Sequence, residues 1–389
     1  MDERFTLIAR IEALAQELHQ AERALNVQAI DSGLRERVRA RFDKLIKQQR
    51  QALRIIAKEA RNSQALDASW AAFDNIRLNC APLFRECLAF MEGALSRSAG
   101  LDQGLCLIAD ALLDDLSRRA DIPWQRFTIL AEGEFLADMA EIIRLRFPEL
   151  SIWNLPVAAH EFGHFVGPKL EEKRADGISR HPFQDILERE RLIDPQYWHY
   201  LHEYFGDLFA TYALGPAYAC TCLLLRFDPR TAHQDGRAHP ASAKRAYWVL
   251  KVLEKMDEAE GVLTPPYQAT IKRLRHVWLQ TLKSVGQSAD LDPAAIVQLD
   301  AWLQELYLLV NDQVPGVRYD GWLRSQRLVA ELDTDRDSSP DLRDEDRLSD
   351  VLNAAWQCRL QHWEEDSHLV VRRIGQKALK SCHEIAGRS

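Results

Sequence analysis

Two histidines and a glutamate stand at positions from which a helix could present them to one metal ion. Residues 160–164 read HEFGH, which has the pattern H-E-x-x-H. Positions i and i+4 lie on one face of an α-helix, so His160 and His164 could both bind one Zn²⁺. Glu161 lies about 100° further round the helix, where its carboxylate could take a proton from a water molecule at the open metal position. The pattern therefore predicts a zinc site that activates water.

A catalytic zinc site needs a third protein ligand, and the strongest candidate lies downstream. Residues 203–207 read EYFGD, so Glu203 and Asp207 share one face of a helix. Glu203 could bind the metal, and Asp207 could accept the free ring N–H of a ligand histidine and fix its tautomer. His199 and His202 lie close by in the sequence and are alternative third ligands.

The two motifs together resemble the gluzincin group of zinc metallopeptidases, including its neprilysin-like and angiotensin-converting-enzyme-like members. The resemblance covers the two motif helices and extends over residues 126–258. It implies a zincin-like fold there and the hydrolysis of a peptide or protein substrate. The zinc ligands that it implies are His160, His164 and Glu203. It also implies that Glu161 is the general base and that Asp207 orients a ligand histidine.

Water attack on a carbonyl produces an oxyanion, which needs a hydrogen-bond donor. His239, Tyr212 and Tyr218 are candidates, and we predict His239 and Tyr212 as the catalytic pair. His239 precedes a proline at the start of a helix, from which it could project into a cleft. Arg245 could anchor either a substrate carboxylate or an internal acid.

The elements that must position these residues are predicted to be mainly helical, with one small β element. Apolar residues at alternating spacings of four and three predict a helix over 7–25, and a second helix after the break at 31–33 would complete a hairpin. The other predicted helices cover 66–95, 102–119, 136–147, 151–166, 197–214 and 242–258, and further helices follow towards the C-terminus. The best strand candidate is 126–135, which in gluzincin-like enzymes would lie beside the active-site helix and pair with the substrate. Residues 167–196 are rich in turn dipeptides and predict a long loop.

These elements predict three regions. A helical N-terminal region would cover 1–120, a zincin-like catalytic core 121–260, and a C-terminal helical region 261–389.

Composition limits the classes of partner. The chain has 389 residues, of which 47% are apolar, and a net charge of −8 argues against nucleic acid as a partner. Residues 35–61, however, contain ten Lys and Arg residues and only three acidic residues. This segment is either a docking surface for an acidic protein partner or an ordinary solvated helix face. The seven scattered cysteines favour a reducing compartment, and the charged first residues do not resemble a signal peptide, so we expect a cytoplasmic protein.

Residues 208–225 form an uncharged run of 18 residues, at the lower limit of a membrane span. Gly215-Pro216 interrupts the run, so we predict a buried helix pair and no membrane contact. Two alternatives to a peptidase remain open. One is a membrane-associated zincin like the CAAX-processing enzymes, and the other is a catalytically silent zincin-fold module that binds or regulates a partner.

Overall fold

The computed structural model describes residues 3–26, 30, 32–62, 66–124, 127–132, 135–137, 142–146, 149–173, 179–260, 265–334, 340–362 and 368–388. This part of the chain is mainly helical, as predicted. Its helices are α1 (Glu3–Ala24), α2 (Ser32–Asn62), α3 (Asp67–Ser98), α4 (Leu105–Ala120), α5 (Val157–Val166), α6 (Pro182–Ile193), α7 (Pro195–Leu214), α8 (Pro216–Thr221), α9 (Ser242–Glu260), α10 (Gln268–Ser284), α11 (Pro293–Gln313), α12 (Trp322–Leu332), α13 (Leu348–Gln361) and α14 (His368–Arg388). Its strands are β1 (Thr128–Ala131), β2 (Phe135–Ala137), β3 (Ile142–Arg146), β4 (Glu172–Lys173) and β5 (Ser179–Arg180).

The chain divides into two compact units. Unit 1 comprises residues 1–106 and 126–147, and unit 2 comprises residues 107–125 and 148–389. The motif helices α5 and α7 belong to unit 2, and β1, β2 and β3 belong to unit 1. The three sequence regions, and the place of a strand beside the motif helix, stay predictions.

In unit 1 the predicted helix pair is present as α1 and α2, which pack on each other and on α3. The heptad positions of α1 are its buried positions, namely Leu7, Ile11, Leu14 and Leu18. On α2, Phe42 and Ile46 are fully buried, and the Phe42 ring contacts that of Phe90 in α3 with centroids 6.1 Å apart. The apolar stripe predicted from the spacing therefore forms the core of this unit.

The sheet of unit 1 differs from the prediction in two ways. The single strand predicted over 126–135 is two separate strands, β1 and β2, and the helix predicted over 136–147 is wrong because β2 and β3 occupy it. β3 is the central strand and pairs parallel with β1 and antiparallel with β2. The first four residues of β3 are all buried, including Arg144, whose guanidinium pairs with Glu86 at 2.6 Å. The alternation of apolar residues and arginines over 143–146 is short, and the helix formers that precede it favoured a helix.

In unit 2 the predicted start of the first motif helix is wrong. Residues 151–156 form turns, in which the Leu155 N–H donates to the Ser151 carbonyl at 2.9 Å, and α5 begins only at Val157. The second motif helix is confirmed as α7. Its N-terminus is capped by Asp194, whose side chain accepts a hydrogen bond from the Gln196 N–H at 2.8 Å.

The long loop predicted over 167–196 contains a helix, α6. Its buried residues include Phe183, Ile186, Leu187 and Glu190, which recur at helical spacing. Pro182 occupies the first turn, where a missing N–H costs nothing. The dipeptide His181-Pro182, one of the turn signals in this segment, therefore marks the start of a helix.

The uncharged run 208–225 contains the buried end of α7 and the buried helix α8, as predicted, although Leu225 near its end is exposed. Gly215 adopts φ +58°, a conformation that favours glycine, and separates α7 from α8. Cys220 and Cys222 are buried. Across the described residues, none of the helices combines the length and the apolar character that crossing a membrane requires.

Candidate metal centre

Two glycines allow the motif helices to approach closely. Gly163 and Gly206 each occupy the fourth position of their motif. A Cβ placed on Gly163 would lie 3.0 Å from the Gly206 Cα, and a Cβ placed on Gly206 would lie 2.7 Å from Cε1 of the His160 ring. Both distances are shorter than ordinary carbon contacts. The two glycines therefore let α5 and α7 touch, and they leave room for the His160 ring against the backbone of α7.

Across this contact, three side chains converge on one point. The Nε2 atoms of His160 and His164 are 3.1 Å apart. The Glu203 carboxylate lies 3.6 Å from His160 Nε2 through Oε2 and 3.7 Å from His164 Nε2 through Oε1. Tetrahedral bonds of about 2.0–2.1 Å to zinc place neighbouring ligand atoms roughly 3.3 Å apart. The spacing thus fits one small metal ion, and these residues could hold it.

The chemistry of the donor set supports the same fit. Two imidazole nitrogens and one carboxylate oxygen suit zinc and several other first-row divalent metals. All three side chains are largely buried, since His160, His164 and Glu203 expose 6%, 17% and 12% of their side-chain surface. The donor set alone does not select one metal, and zinc remains the prediction from the sequence motifs.

Asp207 lies where its predicted role requires it. Its Oδ1 is 3.1 Å from His160 Nδ1, on the far side of the ring from the convergence point. A proton on Nδ1 donated to Asp207 leaves the Nε2 lone pair directed at the other two ligands. This contact therefore assigns the tautomer that a metal-binding His160 needs.

An arginine whose side chain is only 15% exposed holds both carboxylates in place. Arg245 donates from Nε to Oδ2 and from Nη2 to Oδ1 of Asp207, each at 2.7 Å, and its Nη1 lies 3.2 Å from Oε2 of Glu203. Burial alone would raise the pKa of Asp207, but Arg245 and His160 outweigh it and lower this pKa to about 2. The pKa of Glu203 is also lowered, against its own burial, chiefly by Arg245. The sequence left two roles open for Arg245. The structure shows the second one, in which Arg245 anchors an internal acid.

With no metal bound, the surroundings shift the pKa values of the two histidines of the triad in opposite directions. Burial acts to lower the pKa of His160, but hydrogen bonds and charges from Asp207 and Glu203 outweigh it and raise the pKa to about 10. Burial, followed by the neighbouring charge of His160, lowers the pKa of His164 to about 3. His164 is therefore neutral near pH 7, the form in which an imidazole nitrogen can bind a metal.

The predicted catalytic residues are placed differently from one another. Glu161 is buried, 7% exposed, and follows His160 on α5. His239 lies in the segment before α9, with its side chain 67% exposed and Nδ1 2.9 Å from Oε2 of Glu203. Tyr212 is buried, and its hydroxyl donates to Asn311 Oδ1 at 3.2 Å. His239 is thus brought to the metal triad, Tyr212 is directed towards α11, and their catalytic roles stay predictions.

The alternative ligands have other surroundings. His199 is exposed, and its ring contacts that of Trp198. The His202 ring packs on Trp198 and Phe183, with its centroid 6.3 Å from that of His164. Glu203, rather than either of these histidines, completes the group of ligand atoms.

Three residues have structural uses that the sequence motifs did not predict. Gly163 and Gly206 carried a signal, because glycine inside a buried helix often marks a close approach. Tyr218, considered only as an oxyanion donor, donates its hydroxyl to Asp207 Oδ1 at 2.6 Å. Nothing in the spacing relates Tyr218 to Asp207 across the break at Gly215.

Comparisons with protein-family models, with curated proteins and with solved structures give no match to this chain.

Proposed function

We propose that this protein is a zinc-dependent metallopeptidase of the gluzincin type, with a zincin-like core built around α5 and α7. The observation that carries the proposal is the convergence of His160, His164 and Glu203, with ligand atoms 3.1–3.7 Å apart. These residues belong to the two motifs whose combination resembles gluzincins. The Asp207 contact with His160 supports the proposal independently, because a metal-ligating histidine commonly donates its second nitrogen to a carboxylate.

The proposed metal ligands and the residues that hydrogen-bond to them form one charged network. His160, His164 and Glu203 would hold the ion, and Zn²⁺ held there would polarise a peptide carbonyl and make a water molecule more acidic. Asp207 keeps the His160 ring oriented, and Arg245 keeps the two carboxylates ionised and fixed. The protein thereby pre-arranges its donor atoms, so that little reorganisation is needed during the reaction.

Two further residues move or hold protons in the proposed reaction. The Glu161 carboxylate takes a proton from the attacking water and passes it to the amine nitrogen as the peptide bond breaks. The His239 ring donates a hydrogen bond to the oxyanion that forms on the carbonyl carbon under attack. His239 suits this role because its exposed side chain already reaches the Glu203 carboxylate.

The substrate would be a peptide or protein, and we also propose a cytoplasmic location. The face of α2 that carries Lys44, Lys47, Arg54 and Lys58 is exposed. It would suit an acidic protein partner, which is one of the two alternatives that the sequence left open.

The substitution Glu161→Gln tests whether the protein hydrolyses peptides with Glu161 as the general base. A mixture of unlabelled peptides is incubated with zinc-loaded protein, and new termini are identified by mass spectrometry. Wild type should cleave, whereas Glu161→Gln should lose about 10²–10⁴-fold or more in rate because it lacks a general base. Metal content and circular dichroism should match wild type.

The controls separate the remaining alternatives. A Glu203→Ala variant should lose most of its metal after dialysis, because one of three ligands is missing. Metal retained by the wild type together with peptide binding but no cleavage would contradict the peptidase and favour the catalytically silent module. Metal-free wild type would contradict the zinc site itself.

A further inference from the structure

Tyr218 connects the metal ligand His160 to its carboxylate partner. Its side chain is buried, and its hydroxyl donates to Asp207 Oδ1 at 2.6 Å. The hydroxyl oxygen of Tyr218 also lies 3.0 Å from His160 Nδ1. The phenol and imidazole rings are almost parallel, 9° apart in plane. Tyr218 therefore touches both members of the pair that sets the orientation of the ligand ring.

The position of Tyr218 depends on a sharp reversal of the chain. Gly215 turns with φ +58°, and a Cβ there would also lie 2.6 Å from the Tyr319 ring. Asn353 of α13 closes the reversal, because its Nδ2 donates to the Leu214 carbonyl at 2.8 Å and its Oδ1 accepts from the Ala217 N–H at 2.9 Å. One amide thus satisfies both the last carbonyl of α7 and the start of α8. The helix that carries Tyr218 is fixed relative to α7 by a side chain far away in the sequence.

The hydrogen bonds around Asp207 explain what Tyr218 adds. Arg245 grips both carboxylate oxygens in a fork, and Oδ1 also receives the Tyr218 hydroxyl and faces His160 Nδ1. The tyrosine hydroxyl restrains Oδ1 from another direction, and short hydrogen bonds to a buried carboxylate are strong. Asp207 is consequently held where His160 needs its acceptor.

We propose that Tyr218 is a positioning residue of the metal centre, which raises metal affinity by fixing Asp207 and, through it, the His160 ring. The inference rests on the proposed metal site but does not depend on peptide hydrolysis. Asn353 contributes by bracing the helix that presents the hydroxyl. The residue acts through Asp207 and does not itself contact the reacting atoms.

The test compares Tyr218→Phe with Tyr267→Phe. Tyr267 is another buried tyrosine of unit 2, and its hydroxyl donates to the Tyr319 carbonyl at 3.4 Å. Zinc dissociation constants are measured by competition with a chromophoric chelator, and the visible spectrum of the Co²⁺-loaded protein reports the ligand arrangement. Tyr218→Phe should bind zinc about 10-fold more weakly, the lower end of the effect of removing such outer partners of a metal ligand. Its Co²⁺ bands should shift, whereas Tyr267→Phe should match wild type in both measurements.

A double-variant cycle separates positioning from a general loss of packing. Because Tyr218 acts through Asp207, adding Tyr218→Phe to an Asp207→Asn background should cost no further affinity. An equal loss in both backgrounds would overturn the inference, as would equal zinc affinity in Tyr218→Phe and Tyr267→Phe. Wild type that binds metal without cleaving peptides would leave the inference standing and contradict only the proposed function. Wild type that binds no metal would overturn both.

Discussion

Helices α1 and α7 bury different kinds of side chain. In unit 1, α1 buries only an apolar stripe, and its charged residues lie outside that stripe. In unit 2, α7 is buried at every position from Glu203 to Leu214, with two carboxylates inside this stretch. Removing an ion from water costs several kcal/mol unless a partner compensates it. Apolar burial therefore stabilises α1, whereas α7 also depends on Arg245, His160 and Tyr218, the groups that build the candidate site.

The largest effect is expected from breaking the buried pair of unit 2. Asp207→Ala would leave the Arg245 guanidinium buried without its two-pronged partner. We expect a loss of about 3–5 kcal/mol in the free energy of unfolding, together with loss of metal. Hydrogen exchange of α7 peptides, read by mass spectrometry, and metal analysis after dialysis measure the two effects. A stability loss below about 1 kcal/mol, the value of an exposed pair, would show that water reaches the guanidinium.

A smaller effect is expected where unit 1 places a helix against a strand. A Cβ on Gly93 would overlap the Leu130 carbonyl oxygen, so in Gly93→Ala α3 must move away from β1. Overpacking of this kind costs about 1–3 kcal/mol. The cost should exceed the roughly 1 kcal/mol that alanine gains over glycine in a helix. Faster hydrogen exchange in α3 with unchanged metal affinity is the expected result.

A glycine in open space provides the control for this substitution. A Cβ placed on Gly387 of α14 would meet no neighbouring atom within 4 Å, so Gly387→Ala should slow exchange locally through helix propensity alone. Equal behaviour of the Gly93 and Gly387 variants would mean that α3 and β1 separate easily.

The sequence predicted the apolar helices well because their stripes repeat. The spacing of Leu7, Ile11, Leu14 and Leu18 specifies one buried face, and that face is buried. β3 was missed because its alternation covers only four residues, 143–146, and includes the buried Arg144. The helix α6 was missed because Pro182 is compatible both with a turn and with the first turn of a helix.

Local spacing predicted the candidate site only in part. The H-E-x-x-H and E-x-x-x-D spacings place their own side chains on helix faces, and the three predicted ligands do converge. Tyr218 and Asn353 reach the same network only after the chain reverses at Gly215. Such contacts depend on tertiary packing, which spacing along the chain does not encode.

Gly206→Ala tests a close approach at the candidate site, as Gly93→Ala tests one in unit 1. The new Cβ would lie 2.7 Å and 2.8 Å from the Cε1 and Nδ1 atoms of His160, so the ring must rotate away from the triad. Displacing a ligand ring should weaken zinc binding at least about 10-fold, equivalent to about 1.4 kcal/mol. Chelator competition measures this loss, with Gly93→Ala as the variant that should retain full affinity. Unchanged affinity in Gly206→Ala would remove the proposed reason for this glycine in the motif.

The smallest effect is expected from the same residue types at an exposed position. Arg77 and Asp74 of α3 pair at 3.4 Å, with 63% and 55% of their side chains exposed. Arg77→Ala should cost about 0.5 kcal/mol or less, because water screens the pair and both side chains lose rotamer freedom when they pair. Thermal unfolding at low and at high salt measures the effect, which should vanish as ions screen the charges.

An arginine–aspartate contact thus has no fixed value, and burial decides its contribution. In α3 the aspartate stays solvated after its partner is removed, whereas in unit 2 the Arg245 and Asp207 side chains are only 15% and 0% exposed, so that water cannot replace a lost partner. A salt-independent loss of several kcal/mol in Arg77→Ala would contradict this distinction. The stability of α7 could then no longer be attributed to the desolvation of its charges.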